Sequence, residues 1–168
     1  VTGQWGAFAV IDAAGDAIRW AQRTLDRGAR SYAELSAEAA VVAPGAGGLI
    51  FLPYLTGERL GQGQASRGAF LGLIARHEAP HLHRAIMEGV VLAMQEAYRP
   101  ISDAAGRPKA IVSAAGGARS GLWLQIKADV FGCPVIPVEE PEAGLVGIAA
   151  LAFAGLGQFG SPAEAAAE

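Results

Sequence analysis

The sequence has little cysteine and little excess charge, and each shortage limits what the chain can do. Cys133 is the single cysteine among 168 residues. One cysteine excludes a disulfide within the chain and a zinc cluster built on cysteine ligands, and it suits a reducing cytoplasm. The 13 basic and 16 acidic residues leave a net charge of -3 with no basic stripe. We therefore expect a cytoplasmic protein that does not bind nucleic acid.

Membrane segments and the commonest phosphate-binding motif are missing as well. Residues 143–163 carry no charge, but glycines, Gln158 and Pro162 interrupt the run. Its alanine and glycine content predicts a buried helix packed closely on a sheet rather than a membrane span. No charged segment leads into an apolar one at the N-terminus, so no signal peptide is predicted. No Gly-Lys pair occurs, which excludes a Walker-type loop.

The chain has enough apolar residues, 52% of the total, to bury a core. Residues 7–11 form either a short strand or an extended loop, and the chain opens inside this hydrophobic segment, as a fragment would. Helices are predicted over residues 16–27, 31–42 and 80–98, after the turn at 116–117 and from 143, and strands over 49–52, 68–73, 111–113 and 134–138. Ser31 and Glu34 have the spacing of a capping box. This order predicts a layered α/β domain.

A strand, a glycine turn and a helix succeed one another between Ile111 and Asp129. The turn contains Gly116 and Gly117, and Leu122 and Ile126 share one face of the helix. Glycines let a ligand approach the backbone, and the free N–H groups at a helix start attract phosphate. The pattern predicts a nucleotide site, although many turns of this kind bind nothing.

Other polar groups have simpler interpretations. His77, His81 and His83 cluster at the start of the longest predicted helix without a matching carboxylate or cysteine set, so we interpret them as capping or surface groups and predict no metal site. Asp129 lies a full helix away from the turn and is interpreted as structural. Glutamates at positions 139, 140 and 142 precede the final helix, where the helix dipole favours negative charge.

Several segments together resemble one family, the FGGY carbohydrate kinases. Ten residues stand at the spacing of that family's second signature: Gly68, Phe70, Gly72, Leu73, His81, Leu82, Ala85, Ile86, Met87 and Glu88. The stretch at 49–59, LIFLPYLTGER, is similar to a loop of xylulokinase-type members. The stretch at 116–129, GGARSGLWLQIKAD, resembles the family's adenosine-binding motif, and residues 142–149 are similar to its terminal E-A-x-x-x-G-x-A helix.

This resemblance implies a ribonuclease H-like fold of the actin and sugar kinase superfamily, with a mixed sheet flanked by helices and truncated at its N-terminus. Residues 1–168 would be the nucleotide-binding C-terminal part of a two-domain kinase, and ATP and sugar would meet between the domains with Mg²⁺. The catalytic aspartate and the sugar pocket of the N-terminal domain would precede Val1. No catalytic residue is therefore expected in this chain, and the isolated chain is expected to be inactive.

The resemblance also implies site residues. Gly116, Gly117 and Ala118 match the backbone wall against adenine and ribose, kept small to leave space for the base. Ser120 and Gly121 complete the cofactor-binding set, with the alternative that Ser120 only caps the next helix. Gly121 stands where many relatives have proline or asparagine, and Ala115 replaces a frequent third glycine. Candidates near the sugar cleft are Glu58 and Arg59, which could equally form a surface ion pair.

The implied activity is ATP-dependent phosphorylation of a sugar, with a pentulose such as xylulose as the expected substrate. The alternatives are a family member that acts on glycerol, gluconate, ribulose or an autoinducer, and a non-catalytic nucleotide-binding or interaction module. Expected partners are the sugar, ATP and the N-terminal domain of the same polypeptide. Sheet edges left unpaired would favour association, for instance as a homodimer.

Overall fold

A computed structural model describes residues 6–58, 65–138 and 143–167. The helices in these ranges are α1 (Ala14–Thr24), α2 (Tyr32–Ala40), α3 (Ala79–Ala105), α4 (Gly121–Phe131), α5 (Ala143–Gly155) and α6 (Pro162–Ala165), and the strands are β1 (Ile50–Leu52), β2 (Ala69–Leu71), β3 (Ile111–Ser113) and β4 (Val135–Pro137). The predicted order of helices and strands is confirmed, with α6 as an addition. Residues 7–11 form no strand, so the extended-loop alternative holds.

The four described strands form two separate pairs. β1 and β2 are antiparallel, with Phe51 opposite Phe70, whereas β3 and β4 are parallel, with Val112 opposite Ile136. Parallel strands need a crossover, and α4 supplies it between β3 and β4. The mixture of strand directions agrees with the predicted mixed α/β fold.

The core lies around the first half of α3. Ile86, Val90 and Val91 of this helix are fully buried and pack with residues of α1, α2, β1 and α4. Burial of one such side chain contributes roughly 1.5 to 3 kcal/mol, so the stripe as a whole contributes several kcal/mol to stability. The predicted apolar stripe is thus confirmed as core.

The predicted end of α3 near Tyr98 is wrong, because the helix continues through Pro100 to Ala105. Proline removes a single N–H from the helical hydrogen-bond ladder. Here the proline lies on an exposed turn, where water can solvate the carbonyl left without a partner. The helix stops instead at Gly106, whose φ of 84° breaks the helical path.

The two short helices near the N-terminus have the expected local signals. The backbone N–H of Glu34 donates to Ser31 Oγ at 3.3 Å, and the N–H of Ser31 donates to the Glu34 carboxylate at 2.7 Å, which confirms the capping box. Helix α1 is shorter than predicted because Arg27 and Gly28 adopt positive φ. Asp26 lies just after the end of this helix and is buried.

The prediction that the final helix is buried on a sheet is wrong for the part of the chain that the structure describes. Helix α5 buries Ala150 but exposes Leu145, Ile148 and Leu151. An apolar composition favours burial, yet burial also needs a partner surface. Among the described residues that partner is mainly α6 and the Phe159 ring beside it. The glutamates at 139, 140 and 142 lie outside the described residues.

Candidate functional site

The glycine turn joins β3 to α4 through one turn of 3₁₀ helix, Gly116–Ala118. It is preceded by Ala115, which has φ 59° and ψ -157°. Glycine visits this region freely, whereas a residue with a Cβ is strained there by about 1 to 3 kcal/mol. Alanine therefore occupies a backbone position that suits the glycine frequently found there in the family it resembles.

The glycines of the turn differ in what surrounds them. A Cβ added at Gly116 or at Gly121 would have no neighbour within 4 Å, and neither residue has positive φ. These two positions therefore have free space beside the backbone. A Cβ at Gly117 would instead lie 3.2 Å from Lys127 Nζ and 3.6 Å from the Trp123 ring. At Gly117 the small side chain makes room for the protein's own residues.

Ser120 caps α4, as one of the two sequence-based alternatives proposed. Its Oγ accepts the backbone N–H of Trp123 at 3.2 Å and lies 2.8 Å from Ser36 Oγ on α2. The cap satisfies one of the free N–H groups at the helix start. A contact from Ser120 to a nucleotide stays a prediction.

Lys127 is a functional candidate that the sequence reasoning did not identify. This residue of α4 is only 7% exposed, its Nζ donates to Ser113 Oγ at 2.8 Å, and the ammonium lies 5.2 Å from the centre of the Trp123 ring. Burial lowers the pKa of Lys127 from its usual value of 10.5. A lysine on a half-buried helix resembles any surface lysine in sequence, so no signal indicated its burial.

Glu58 lies apart from the turn. It is half-buried and lines a cavity of about 370 Å³ that is bounded by residues 8–13, residues 53–58 and the outer half of α3. None of residues 116–121 lines this cavity, so the structure does not bring Glu58 together with the glycine turn. Arg59, the other cleft candidate, lies outside the described residues.

The glycines of the matched signature have packing roles. A Cβ at Gly68 would lie 2.7 Å from Leu55 Cδ2, and a Cβ at Gly72 would lie 2.7 Å from the carbonyl oxygen of Gly48. Both positions therefore allow close approach within the antiparallel pair and the loop before it. These signature glycines thus support the fold, and nothing around them points to a ligand.

Glu88, the last signature residue, is also structural. Both oxygens of its carboxylate accept the backbone N–H of Gly45 at 3.1 Å, and one accepts Arg84 Nε at 2.5 Å. Arg84 is almost fully buried, and this charge-assisted hydrogen bond compensates its burial. The Glu88 carboxylate therefore connects the loop at Gly45 to α3 through these hydrogen bonds.

The three histidines separate into two groups. His77 Nδ1 accepts the N–H of Ile74 and His81 Nδ1 accepts the N–H of Glu78, both at 3.2 Å, which confirms capping. The surface interpretation is wrong for His83, which is 3% exposed and has its Nε2 2.7 Å from Asp26 Oδ2. It is buried because it lies on the core side of α3.

A buried charge network surrounds His83. The carboxylate of Asp26 also pairs with Arg30, which bridges to Glu38 on α2. Burial and the Arg30 guanidinium lower the pKa of His83, while the Glu38 carboxylate opposes that shift. The described parts of the chain contain no group of three His, Cys, Asp or Glu side chains that could hold a metal ion.

Comparison with solved structures shows the structural class of this chain. The fold matches solved structures of sugar kinases of the actin and sugar kinase superfamily. Against a xylulose kinase from Lactobacillus acidophilus the TM-score is 0.77 at 30% identity, over 90% of this chain and 31% of that one. A gluconate kinase from the same organism matches with the same TM-score, identity and coverage. The predicted fold class is therefore confirmed.

The chain belongs to the FGGY family of carbohydrate kinases, because the model of that family's C-terminal domain matches residues 1–156. The xylulose kinase of Bacillus subtilis is 36% identical over 155 residues, which cover 92% of this chain and 31% of that protein. The chain thus spans about a third of the length of the relatives it matches. No described helix of the chain is both long enough and apolar enough to span a bilayer.

Proposed function

We propose that this chain is the nucleotide-binding part of a kinase that transfers phosphate from ATP to a sugar. The observation that carries the proposal is the strand–turn–helix unit at 111–131, where Gly116 and Gly121 leave open backbone above a buried cation. Adenine would lie against Gly116, Gly117 and Ala118, with Ser120 and Gly121 beside it. The membership in a family of carbohydrate kinases supports this assignment.

A pentulose such as xylulose is the proposed sugar. Support comes from the similarity to xylulose kinases, including 36% identity to the enzyme of Bacillus subtilis. Gluconate is the alternative that a specific observation favours, because a gluconate kinase structure matches equally well. Glu58, at its cavity, and Arg59 are the proposed contributions of this chain to the sugar side.

The chemistry of transfer belongs to the rest of the polypeptide in this proposal. ATP with Mg²⁺ supplies the transferred phosphate, and the residues described here bind and orient the adenosine end. We therefore expect the chain alone to bind ATP without phosphorylating a sugar.

The open turn dictates the experiment. ATP with Mg²⁺ is titrated calorimetrically into the chain and into a Gly116→Trp variant, which places a large ring at the proposed adenine surface, at a position where the Cβ has no neighbour within 4 Å. Gly155→Trp at the end of α5 is the matched control, since it also faces open space. We expect ATP binding to be lost in the first variant and retained in the second.

Two results would count against this site. Equal ATP affinity in the chain and the Gly116→Trp variant would remove the nucleotide from the turn. Absence of ATP binding both by the chain and by the full-length polypeptide, with both folded as judged by circular dichroism, would favour a non-catalytic interaction module.

A further inference from the structure

The ammonium of Lys127 is a buried positive charge without a carboxylate partner among the described residues. The side chains that contact it are the hydroxyl of Ser113 and the ring of Trp123, and neither carries a charge. Burying an ion without a counter-ion is expensive, so proteins rarely do it in the core unless the charge has a role. The Asp26 carboxylate, also buried, shows the usual solution, since it contacts both Arg30 and His83.

The charge lies directly beneath the glycine turn. Lys127 Nζ is 3.2 Å from the position that a Cβ of Gly117 would take, so the ammonium lies against the backbone of the turn. The backbone at Gly116, one residue before, is open. The start of α4 is adjacent, and its free N–H groups add positive potential of the same sign.

An ammonium has three donors, and one is used by Ser113. Low local dielectric strengthens the field of such a charge compared with a lysine in water. A ligand seated on the turn would therefore meet a positive potential that is fixed in place. An anionic ligand gains from this potential, and a neutral ligand of the same shape does not.

We propose that Lys127 is a specificity-determining residue of the turn, which makes the site prefer phosphate-bearing nucleotides over uncharged nucleosides. This inference rests on the proposed nucleotide function and explains how the site would distinguish nucleotides from nucleosides. Lys127 acts on the ligand through its charge, and its hydrogen bond to Ser113 fixes the position of that charge.

A purely structural role for Lys127 makes a different prediction. If the lysine only tied β3 to α4, its loss would loosen the turn for every ligand alike, and loss of the Ser113 hydroxyl would have a similar effect. The ratio between the affinities for ATP and adenosine therefore separates the two roles. That ratio does not depend on how much either variant weakens the turn.

The test measures binding of ATP, ADP and adenosine to the chain and to its Lys127→Met and Ser113→Ala variants by calorimetry. Methionine keeps the length and the contact with Trp123 but removes the charge. We expect Lys127→Met to lower the affinity for ATP and for ADP about tenfold and the affinity for adenosine less than about threefold. This is the size of effect expected when a unit charge several ångströms from a phosphate is removed. Ser113→Ala is expected to leave the ATP-to-adenosine ratio unchanged.

Each outcome has one meaning. An equal loss for ATP and adenosine in Lys127→Met would overturn the selective role while leaving the nucleotide site intact. Failure of both the unmodified chain and the full-length polypeptide to bind either ligand would instead reject the proposed function. If Lys127→Met does not fold, Lys127→Gln supplies the measurement, since it also removes the charge but keeps a hydrogen-bond donor for Ser113, and it must lose the preference for ATP if the inference is right.

Discussion

Two contacts between a strand and a helix use glycine in opposite ways. Where β1 crosses α3, a Cβ added at Gly89 would lie 2.2 Å from the carbonyl oxygen of Phe51, so the helix can approach the strand only without a side chain. Where β3 leads into α4, the glycines at 116 and 121 face empty space. The first contact closes a gap and the second leaves one open. Glycine at a strand–helix contact therefore indicates a binding surface only when the space beside it is free.

The same contrast applies to buried charge. In the helical core, the Asp26 carboxylate contacts Arg30 and His83. At the turn, Lys127 meets only neutral groups among the described residues. The buried carboxylate of the core thus has cationic or basic side chains beside it, whereas the ammonium at the turn has no counter-ion among the described residues. Free space and a charge of this kind are properties that a ligand can use.

The sharpest test of the comparison is a pair of helical glycines. Gly89→Ala places a methyl group on a backbone carbonyl that cannot rotate away, so we expect the free energy of unfolding to fall by about 3 kcal/mol or more. Gly121→Ala enters open space and is expected to change it by less than about 0.5 kcal/mol. Urea denaturation followed by circular dichroism measures both. Equal effects would remove the distinction between the two contacts.

Removal of the paired charge in the core should have the next largest effect. Asp26→Ala leaves Arg30 and buried His83 without their shared carboxylate, and we expect a loss of about 2 kcal/mol, reduced from a fully buried pair because Arg30 is partly exposed. Asp16→Ala, which breaks the exposed pair with Arg19, is the control and should cost less than about 0.5 kcal/mol. Thermal unfolding of both variants measures the two losses of stability. If Asp26→Ala lost as little stability as Asp16→Ala, the result would contradict a stabilising buried network.

The strain at Ala115 gives a test with the opposite sign. Ala115→Gly relieves an unfavourable backbone conformation, and we expect a gain of about 1 kcal/mol after the added flexibility of the unfolded chain is subtracted. Ala114→Gly, at a neighbouring residue without positive φ, should lose stability slightly. Denaturation midpoints of the two variants measure the difference. Destabilisation by both would show that Ala115 is not strained.

The smallest expected effect is a pH dependence at the turn. Because the pKa of Lys127 is lowered in the folded chain, the unfolded chain binds more protons between that lowered value and 10.5. Stability from this group therefore rises with pH through that window and is absent below it. Lys127→Met should lack this rise in the free energy of unfolding, measured from pH 7 to 11. Parallel curves for both proteins would contradict the burial of the ammonium.

Local signals explain which parts of the structure could be predicted. The Ser31 and Glu34 capping box, the α3 stripe and the glycine turn each depend on residues close in sequence, so periodicity and spacing are enough to find them. Membership in the kinase family followed from residues such as Gly72 and Glu88, whose tight packing restricts what can replace them. Their roles, however, became clear only with their neighbours in place.

The errors arose where distant residues decide. His83 and Lys127 are polar in sequence, and only the assembled fold shows that both are buried. The exposure of α5 is the converse, since its apolar composition says nothing about which partner is present. The neighbours of Gly117 could not be predicted either, because Lys127 and Trp123 lie ten and six residues further along the chain. A contact between Gly117 and adenine stays a prediction.

The hydrogen bond between Ser36 and Ser120 joins residues 84 positions apart. The contact ties the first residue before α4 to α2, so the position of the turn depends on a helix far away in sequence as well as on β3. Any ligand that binds the folded turn and not the unfolded chain would stabilise the contact between these distant segments by mass action. The protection of α2 amides from hydrogen exchange would then report occupancy of a site to which α2 contributes a single hydroxyl.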